Sequence, residues 1–400
     1  GPSSSNPLSE SWAHAPRGPS SSNPLSESWA HAPRGVRLSK KMKPAYASAH
    51  HRRYRSYDYD RGAVVFATVV TEPRRRLFGR VVEGRMALSA LGERVAAALQ
   101  SQRTEGVALH EWVVMPDHAH FLLHLKPGQR EPLRALGSFV GGFKSYTTRL
   151  YWEMAHEEAR TTEGARPGLS AGAGRNPGRT PPVVCAIADT LWQAGYHDWL
   201  CISRRFIESC RAYIAYNPLK YELQHNRPEA LRIREPIDSP LLADGEYWKG
   251  VGATNLLDPQ ARLLAVRISR RVDTAAAIAA AVARILRGVD AGFIPVCGFV
   301  SPGERALRDA LIALPGARFI QVEVEAMPVD YRPASPLLPA LQEGRLLLLG
   351  RPEATDLFDR AACLALNASI LALARRSAGG MGCYARLGPN GLIWHSEGQS

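Results

Sequence analysis

The stretch VALHEWVVMPDHAHFLLHL (107–125) contains two apolar runs rich in β-branched and aromatic residues, 107–114 and 118–125, separated by Met115-Pro116-Asp117. Runs of this composition interrupted by a proline-containing turn predict an antiparallel hairpin. Side chains alternate between faces along a strand, so His118 and His120 project to one face and Ala119 to the other. Two imidazoles on one face make a two-pronged metal site. The same pair also occurs on solvated strand faces, which is how His110 and His124, of like parity, are read.

Outward from the hairpin, GAVVFATVV (62–70) reads as a strand, and LSALGERVAAAL (88–99) carries apolar residues at helical spacing. LRALGSFVGGFKSYTTRLYWEM (133–154) is helix-like despite three glycines. The Gly, Pro, Ala and Arg mixture at 155–183 reads as a flexible insertion and not as an element. RRFIESCRAYIAYNPLKYEL (204–223) is an amphipathic helix running into Asn217-Pro218, where the proline biases the preceding residue away from helix. Tyr213 and Asn217 lie four apart and share a face of that helix. The residues alone leave two readings: a nucleophile beside a ligand, or a packing tyrosine with a capping asparagine.

The chain has 400 residues, 45% hydrophobic and 22% charged, enough for two ordinary cores. No apolar run approaches the roughly 18 residues that cross a bilayer, so no membrane partner and a cytoplasmic location are expected. A formal charge of +13 favours a polyanionic partner, because phosphates neutralised by Lys or Arg release counterions. Basic residues crowd the front, Arg52 and Arg53 among them. HHRRYRSYDYDR (50–61) interleaves cations with aromatics, as holding a single strand requires. Six cysteines show no metal-like or disulfide-like spacing and read as reduced thiols. Residues 1–17 recur identically as 18–34, and the first methionine is Met42. Residues 1–47 are therefore expected to be a disordered repeat and basic leader outside the functional unit.

The combination of words resembles a known family. FATVVTEPRRRLFG (66–79), LSALGERV, LHEWVVMPDHAHFLL (109–123), GGFKSYTTRLY (141–151), LWQAGYHDWL (191–200) and AYIAYNPLKYEL (212–223) occur in this order. Together they look like the single-tyrosine HUH transposases, and within these the REP-associated tyrosine transposases, over about residues 53–230. The resemblance implies an α+β domain over 48–232, an antiparallel sheet flanked by helices. His118 and His120 match the metal ligands, Tyr213 the nucleophile and Asn217 the third ligand, with Mg²⁺ or Mn²⁺ as the ion. The implied substrate is single-stranded DNA beside a palindromic hairpin, cut to leave a 5′-phosphotyrosine and a free 3′-hydroxyl. Tyr216 is the alternative nucleophile. The insertion at 155–183 and the residues HDWLC after Tyr196 depart from the pattern and put substrate choice in question.

The chemistry is coherent with those roles. A phenol of pKa about 10 is roughly 0.1% ionised at pH 7, a handicap of about 4 kcal/mol. A divalent cation on the scissile phosphate offsets several kcal/mol and orients it for in-line attack. Two imidazoles and one amide oxygen suit Mn²⁺ at least as well as Mg²⁺. A phosphotyrosine keeps the energy of the cut diester for rejoining, which hydrolysis would discard. Arg74, Arg75 and Lys144 are candidate DNA contacts, with a surface role the alternative for Lys144; Trp192 reads equally as a DNA contact or as core.

Behind a second linker (233–256), strand-like and helix-like runs alternate from LLAVRIS (263–269) to FDRAACLALNASILALARR (358–376), predicting a parallel, Rossmann-like α/β sheet over 257–400. GFVSPGERALRDALIAL (298–314), GRLLLL (344–349) and DRAACLALNASILALA (359–374) look like the SLOG superfamily, which includes the DNA-processing protein A domains. The resemblance implies a nucleotide-derived ligand near Gly298, Ser301, Arg360 or Asn367, received by backbone amides at a helix start. Two rival functions stand beside strand transfer: a non-catalytic nucleic-acid-binding module, and a metal hydrolase that uses water.

Overall fold

The computed structural model describes residues 57–128, 131–164, 190–242, 247–352, 354, 358–388 and 391–397. The leader 1–47, Arg52 and Arg53 lie outside the described residues. The chain divides into two compact units, Gly1–Glu222 and Leu223–Ser400. Seven α-helices are present among the described residues, and none of the helices is long and apolar enough to cross a membrane.

The first unit runs β1 (Ala63–Val70), β2 (Gly79–Val82), β3 (Arg85–Leu88), α1 (Ala90–Ser101), β4 (Val107–Met115), β5 (His118–Leu125), α2 (Pro132–Gly164), β6 (His197–Leu200) and α3 (Arg204–Asn226). β4, β5, β1 and β6 form an antiparallel sheet in that order, and β2 pairs with β3 as a separate ribbon. Alternation sorts β1 and β5 into two sets. Val65, Ala67, Val69, Phe121 and Leu123 meet Val95 and Leu99 of α1 and Phe139 and Phe143 of α2. Val64, Phe66 and Leu122 face Ile207, Cys210, Tyr213 and Ile214 of α3. The histidine face of the hairpin is therefore the face that α3 covers.

Two expectations for these helices fail. α2 does not stop at 154 but continues to Gly164, so the first ten residues of the supposed insertion are helical; 165–183 lie outside the described residues. α3 passes through Pro218 and ends at Asn226. An interior proline removes one helical hydrogen bond at a cost of about 3 kcal/mol. Burial of Ile214, Pro218 and Leu219 on the covered face offsets that cost.

β4 carries a bulge between Leu109 and Glu111, leaving His110 as the inserted residue. Its ring stacks on His124 at 5.7 Å, and both are half-buried, not on the solvated face expected of them. Burial lowers the His110 pKa from 6.5 to about 4, and the neighbouring His124 and Arg211 push in the same direction. A pKa depressed by folding gives stability that is present above 6.5 and lost as pH falls toward 4. With the ring part-exposed, solvent screening reduces the effect to on the order of 1–2 kcal/mol. His110→Gln should flatten the stability profile between pH 6.5 and 4 in urea titrations. An unchanged profile would assign the acid sensitivity elsewhere.

The second unit continues with β7 (Lys249–Gly252), β8 (Leu263–Ile268), α4 (Ala275–Asp290), β9 (Ile294–Cys297), α5 (Pro302–Ala313), β10 (Phe319–Glu323), the short α6 (Leu338–Gln342), β11 (Leu346–Gly350), α7 (Arg360–Arg375), β12 (Met381–Gly388) and β13 (Gly391–Glu397). Its sheet has the order β13-β12-β8-β9-β10-β11-β7. The five central strands are parallel, as the alternation of runs predicts, and the two edge strands are antiparallel. Leu366, Ile370 and Leu373 of α7 pack on Leu263, Ala265, Val296, Ile320 and Val322. Leu264 and Ile268, of opposite parity, meet Gly288 of α4 and Gly303 of α5, so helices cover both faces. The stretch 233–256 is not a linker. It supplies edge strand β7, and Ile237, Leu241, Leu242 and Trp248 are buried in the same core as α7.

Candidate metal and nucleophile site

In register, β1 and β5 place Val70 opposite His118 and Thr68 opposite His120. Both imidazoles are buried on the α3 side, with ring centroids 4.7 Å apart at 76°. Their Nε2 atoms stand 3.1 Å apart. Each Nδ1 has its own partner: Asp117 Oδ1 at 2.6 Å for His118, and Thr68 Oγ1 at 2.7 Å for His120. A carboxylate beside Nδ1 accepts a hydrogen bond from its N–H and leaves the Nε2 lone pair for an electrophile, the arrangement that orients metal-binding histidines.

α3 brings Tyr213 over this pair. Its ring lies 5.3 Å from that of His120 at 71° and 5.8 Å from that of Phe66, and Lys220 Nζ sits 4.8 Å from the ring centroid. Burial pushes the phenol up to about 12, the neighbouring Asn217 amide pulls it down, and Cys210 adds to the rise. Asn217 is itself buried, and its Nδ2 has no hydrogen-bond partner. The structure brings His118, His120 and Tyr213 together, and Asn217 follows one helical turn after Tyr213; its orphaned amide end is a buried polar group in want of a partner. Arg211, two residues before Tyr213, holds α3 to the sheet through an ion pair of 2.7 Å with Glu111.

Asp117 and Thr68 escape a reading of the sequence alone. The aspartate stands in the turn MPD, where it reads as turn chemistry. The threonine becomes visible only once the β1–β5 register is known. Asp117 is fully buried, and Thr71 Oγ1 donates to its carbonyl oxygen. Replacing it with asparagine removes the charge that fixes the His118 tautomer. If the pair holds Mn²⁺, Asp117→Asn should weaken that binding by about 10–100-fold in calorimetric titration with little loss of stability. Undiminished affinity would remove Asp117 from the site.

The expected DNA contacts fare differently. Trp192 is core: it is 4% exposed, donates from Nε1 to Thr147 Oγ1 at 2.8 Å, and packs on Phe78 and Phe143. Lys144 ties α2 to the following loop, its Nζ donating to the carbonyls of Gln193 and Gly195 at 2.6 and 2.7 Å. Arg75 is a staple, reaching Glu72 O, Tyr151 Oη and Thr190 O. Buried rings and committed donors leave these three poorly placed to hold a strand. Arg74 stays at the surface, with one nitrogen 3.8 Å from Asp117 Oδ2.

In the second unit, the turn between β9 and α5 is closed to an external anion. Glu304 Oε2 accepts from the amides of Val300 and Ser301 at 2.8 and 3.0 Å, while Oε1 accepts from Ile268 N at 3.0 Å. Ser301 Oγ accepts from Glu304 N, completing a capping box. The amides that would receive a phosphate already hold a carboxylate. Gly298 is explained by packing, since a Cβ there would come 2.4 Å from Leu366 Cδ2. Arg360 is exposed at the start of α7 and Asn367 is half-buried two turns on. Two amides of that turn, Val300 and Ser301, are thus occupied by the unit's own glutamate.

No family model matches the chain, and no curated protein matches it. Solved structures similar to parts of it include DNA processing protein A of Helicobacter pylori, described for its single-stranded DNA binding mode. That similarity has 20% identity and a TM-score of 0.28, over 36% of this chain and 67% of that one. DNA processing protein A of Streptococcus pneumoniae gives 18% and 0.28 over 43% of this chain, which spans 63% of that protein's length. A REP-associated tyrosine transposase bound to a REP hairpin gives 15% identity and a TM-score of 0.23, over 45% of this chain and 76% of that one.

Proposed function

We propose that the first unit cuts and rejoins single-stranded DNA beside hairpins, with Tyr213 as nucleophile and with His118, His120 and Asn217 as ligands of Mg²⁺ or Mn²⁺. The observation that carries this reading is the pair of Nε2 atoms held 3.1 Å apart beneath the tyrosine ring. Two inward-facing lone pairs at that distance repel unless a cation or proton lies between them. The separation is also close to the ~3.0 Å between adjacent ligands on an octahedral ion with bonds of about 2.1 Å. In this reading the third protein donor is the amide of Asn217, the position that the family resemblance assigns to it. Amide oxygen and nitrogen are interchanged by a simple flip, which turns Oδ1 toward the position its orphaned Nδ2 occupies.

When bound, the ion would polarise the scissile phosphate and neutralise charge developing on it. The chain's own residues do the rest. Asp117 and Thr68 lock the two imidazoles, and Phe66 stacks on His120 at 5.2 Å to exclude water from that side. In the step itself the phenol gives up its proton, Oη bonds to phosphorus, and the bond to the 3′ oxygen breaks. That oxygen leaves as a hydroxyl and the 5′ phosphate stays on Tyr213; a 3′-hydroxyl attacking in reverse rejoins the strand.

The test is to incubate the full chain with a single-stranded hairpin oligonucleotide and Mn²⁺ and to look for a covalent protein–DNA adduct on denaturing gels. Binding without adduct or cleavage would defeat the reading in favour of a binding module.

A further inference from the structure

The β2–β3 ribbon plays no part in the site above, yet it is built onto the helix that carries Tyr213. Pairing of Arg80 with Ala87 and of Val82 with Arg85 puts these four side chains on one face of the ribbon. All four are exposed, Val82 at 45%. The alternate set turns inward, with Met86 buried. At the root, Phe78 is fully buried against Trp192, and Gly79 lies so close to the Ala87 carbonyl that no side chain fits. At the tip, Glu83 and Gly84 both take positive φ, 52° and 66°, forming a tight turn. The Gly84 amide donates to the Glu222 carboxylate of α3, and Gly84 abuts Leu219 of the same helix. Arg76, just before the ribbon, lies over the Tyr221 ring at 5.8 Å.

The ribbon is thus fixed at both ends, and its outward face offers two arginines flanking small apolar groups. Among the described residues neither Arg80 nor Arg85 has a hydrogen-bond or ion-pair partner. Glu83 is the one acid in the ribbon, and it sits at the tip. We propose that this face grips a duplex segment of the DNA substrate beside the strand attacked by Tyr213. A two-stranded ribbon fits the major groove, about 12 Å wide, where small apolar side chains meet thymine methyls. Arginines on either side reach phosphates. An unpaired strand would call for exposed aromatic rings to stack its bases, and the outward face has none.

The inference takes its substrate from the strand-cleavage reading, so the test is a binding measurement that needs no cleavage. Anisotropy titrations of the full chain in chelator compare a hairpin oligonucleotide with an unpaired one of equal length. In the Arg80→Ala/Arg85→Ala variant, hairpin affinity should fall roughly tenfold at 0.1 M salt. The slope of log K against log salt should become shallower by about 1.8, two phosphates at about 0.9 each. Affinity for the unpaired strand should stay within about twofold. Both side chains are exposed, so folding, checked by thermal melting, is retained. An unchanged hairpin affinity, an equal loss on both oligonucleotides, or no hairpin preference in the wild type would overturn the proposal. A missing Tyr213 adduct would leave it intact.

Discussion

Tyr213→Phe should form no covalent adduct with DNA, and strand cleavage should fall by at least about a thousandfold. The substitution deletes one oxygen and keeps the ring, so the packing on Phe66 and His120 and the contact with Lys220 survive. Mn²⁺ affinity, measured by calorimetry, should stay within a few-fold, which separates loss of the nucleophile from collapse of the site. The size of the effect follows from burial. With its pKa pushed up to about 12, the phenol is ionised at pH 7 only about once in 10⁵ molecules. In the proposed reaction, charge supplied at the phosphate would make up that deficit, and an adduct that persisted in Tyr213→Phe would point to Tyr216 as the nucleophile. Cleavage that persisted in Tyr213→Phe without an adduct would favour water as the nucleophile.

Glu304→Ala should destabilise the second unit by about 3–9 kcal/mol, because three backbone amides lose their acceptor at once and each buried unsatisfied donor costs about 1–3 kcal/mol. The amides belong to Ile268, Val300 and Ser301, at the ends of two neighbouring elements, and Glu304 is 6% exposed. Glu304→Gln keeps one acceptor oxygen and should lose less. Urea unfolding of the full chain checks both. Wild-type stability in Glu304→Ala would mean that water satisfies the turn equally well.

What the sequence discloses here divides along physical lines. Strongly periodic runs are legible: β1, β5, α1 and the alternating strands and helices from β8 to α7 lie where apolar spacing puts them, because each buries a face. The constellation His118, His120, Tyr213 and Asn217 is picked out by the family resemblance of the words that flank it, since residue type and spacing alone leave a packing tyrosine and a capping asparagine equally open. Their mutual distances cannot be read this way, since they depend on which face α3 covers. Local rules fail where packing overrules them, as at Pro218, where proline chemistry predicts an ending and burial carries the helix on. The ribbon β2–β3 and the strands β6, β7, β12 and β13 announce themselves weakly, being short or carrying polar residues. Lys144, Arg75 and Trp192 look like DNA contacts by type. Only three-dimensional hydrogen bonding shows that one closes a loop, one staples a corner and one fills the core. Glu304 is the reverse case, a charged residue within an amphipathic run that is buried as an internal anion.

The burial of β1 has a consequence for how this chain can drift. All eight residues from Ala63 to Val70 are buried, so neither side of the strand has slack. Shifting its frame by one position would swap the sets facing α1 and α3 and carry Thr68 away from His120. Insertions and deletions are therefore barred from this segment while conservative exchanges of similar volume remain open, and lineages descended from this chain should diverge in length around the strand and never within it.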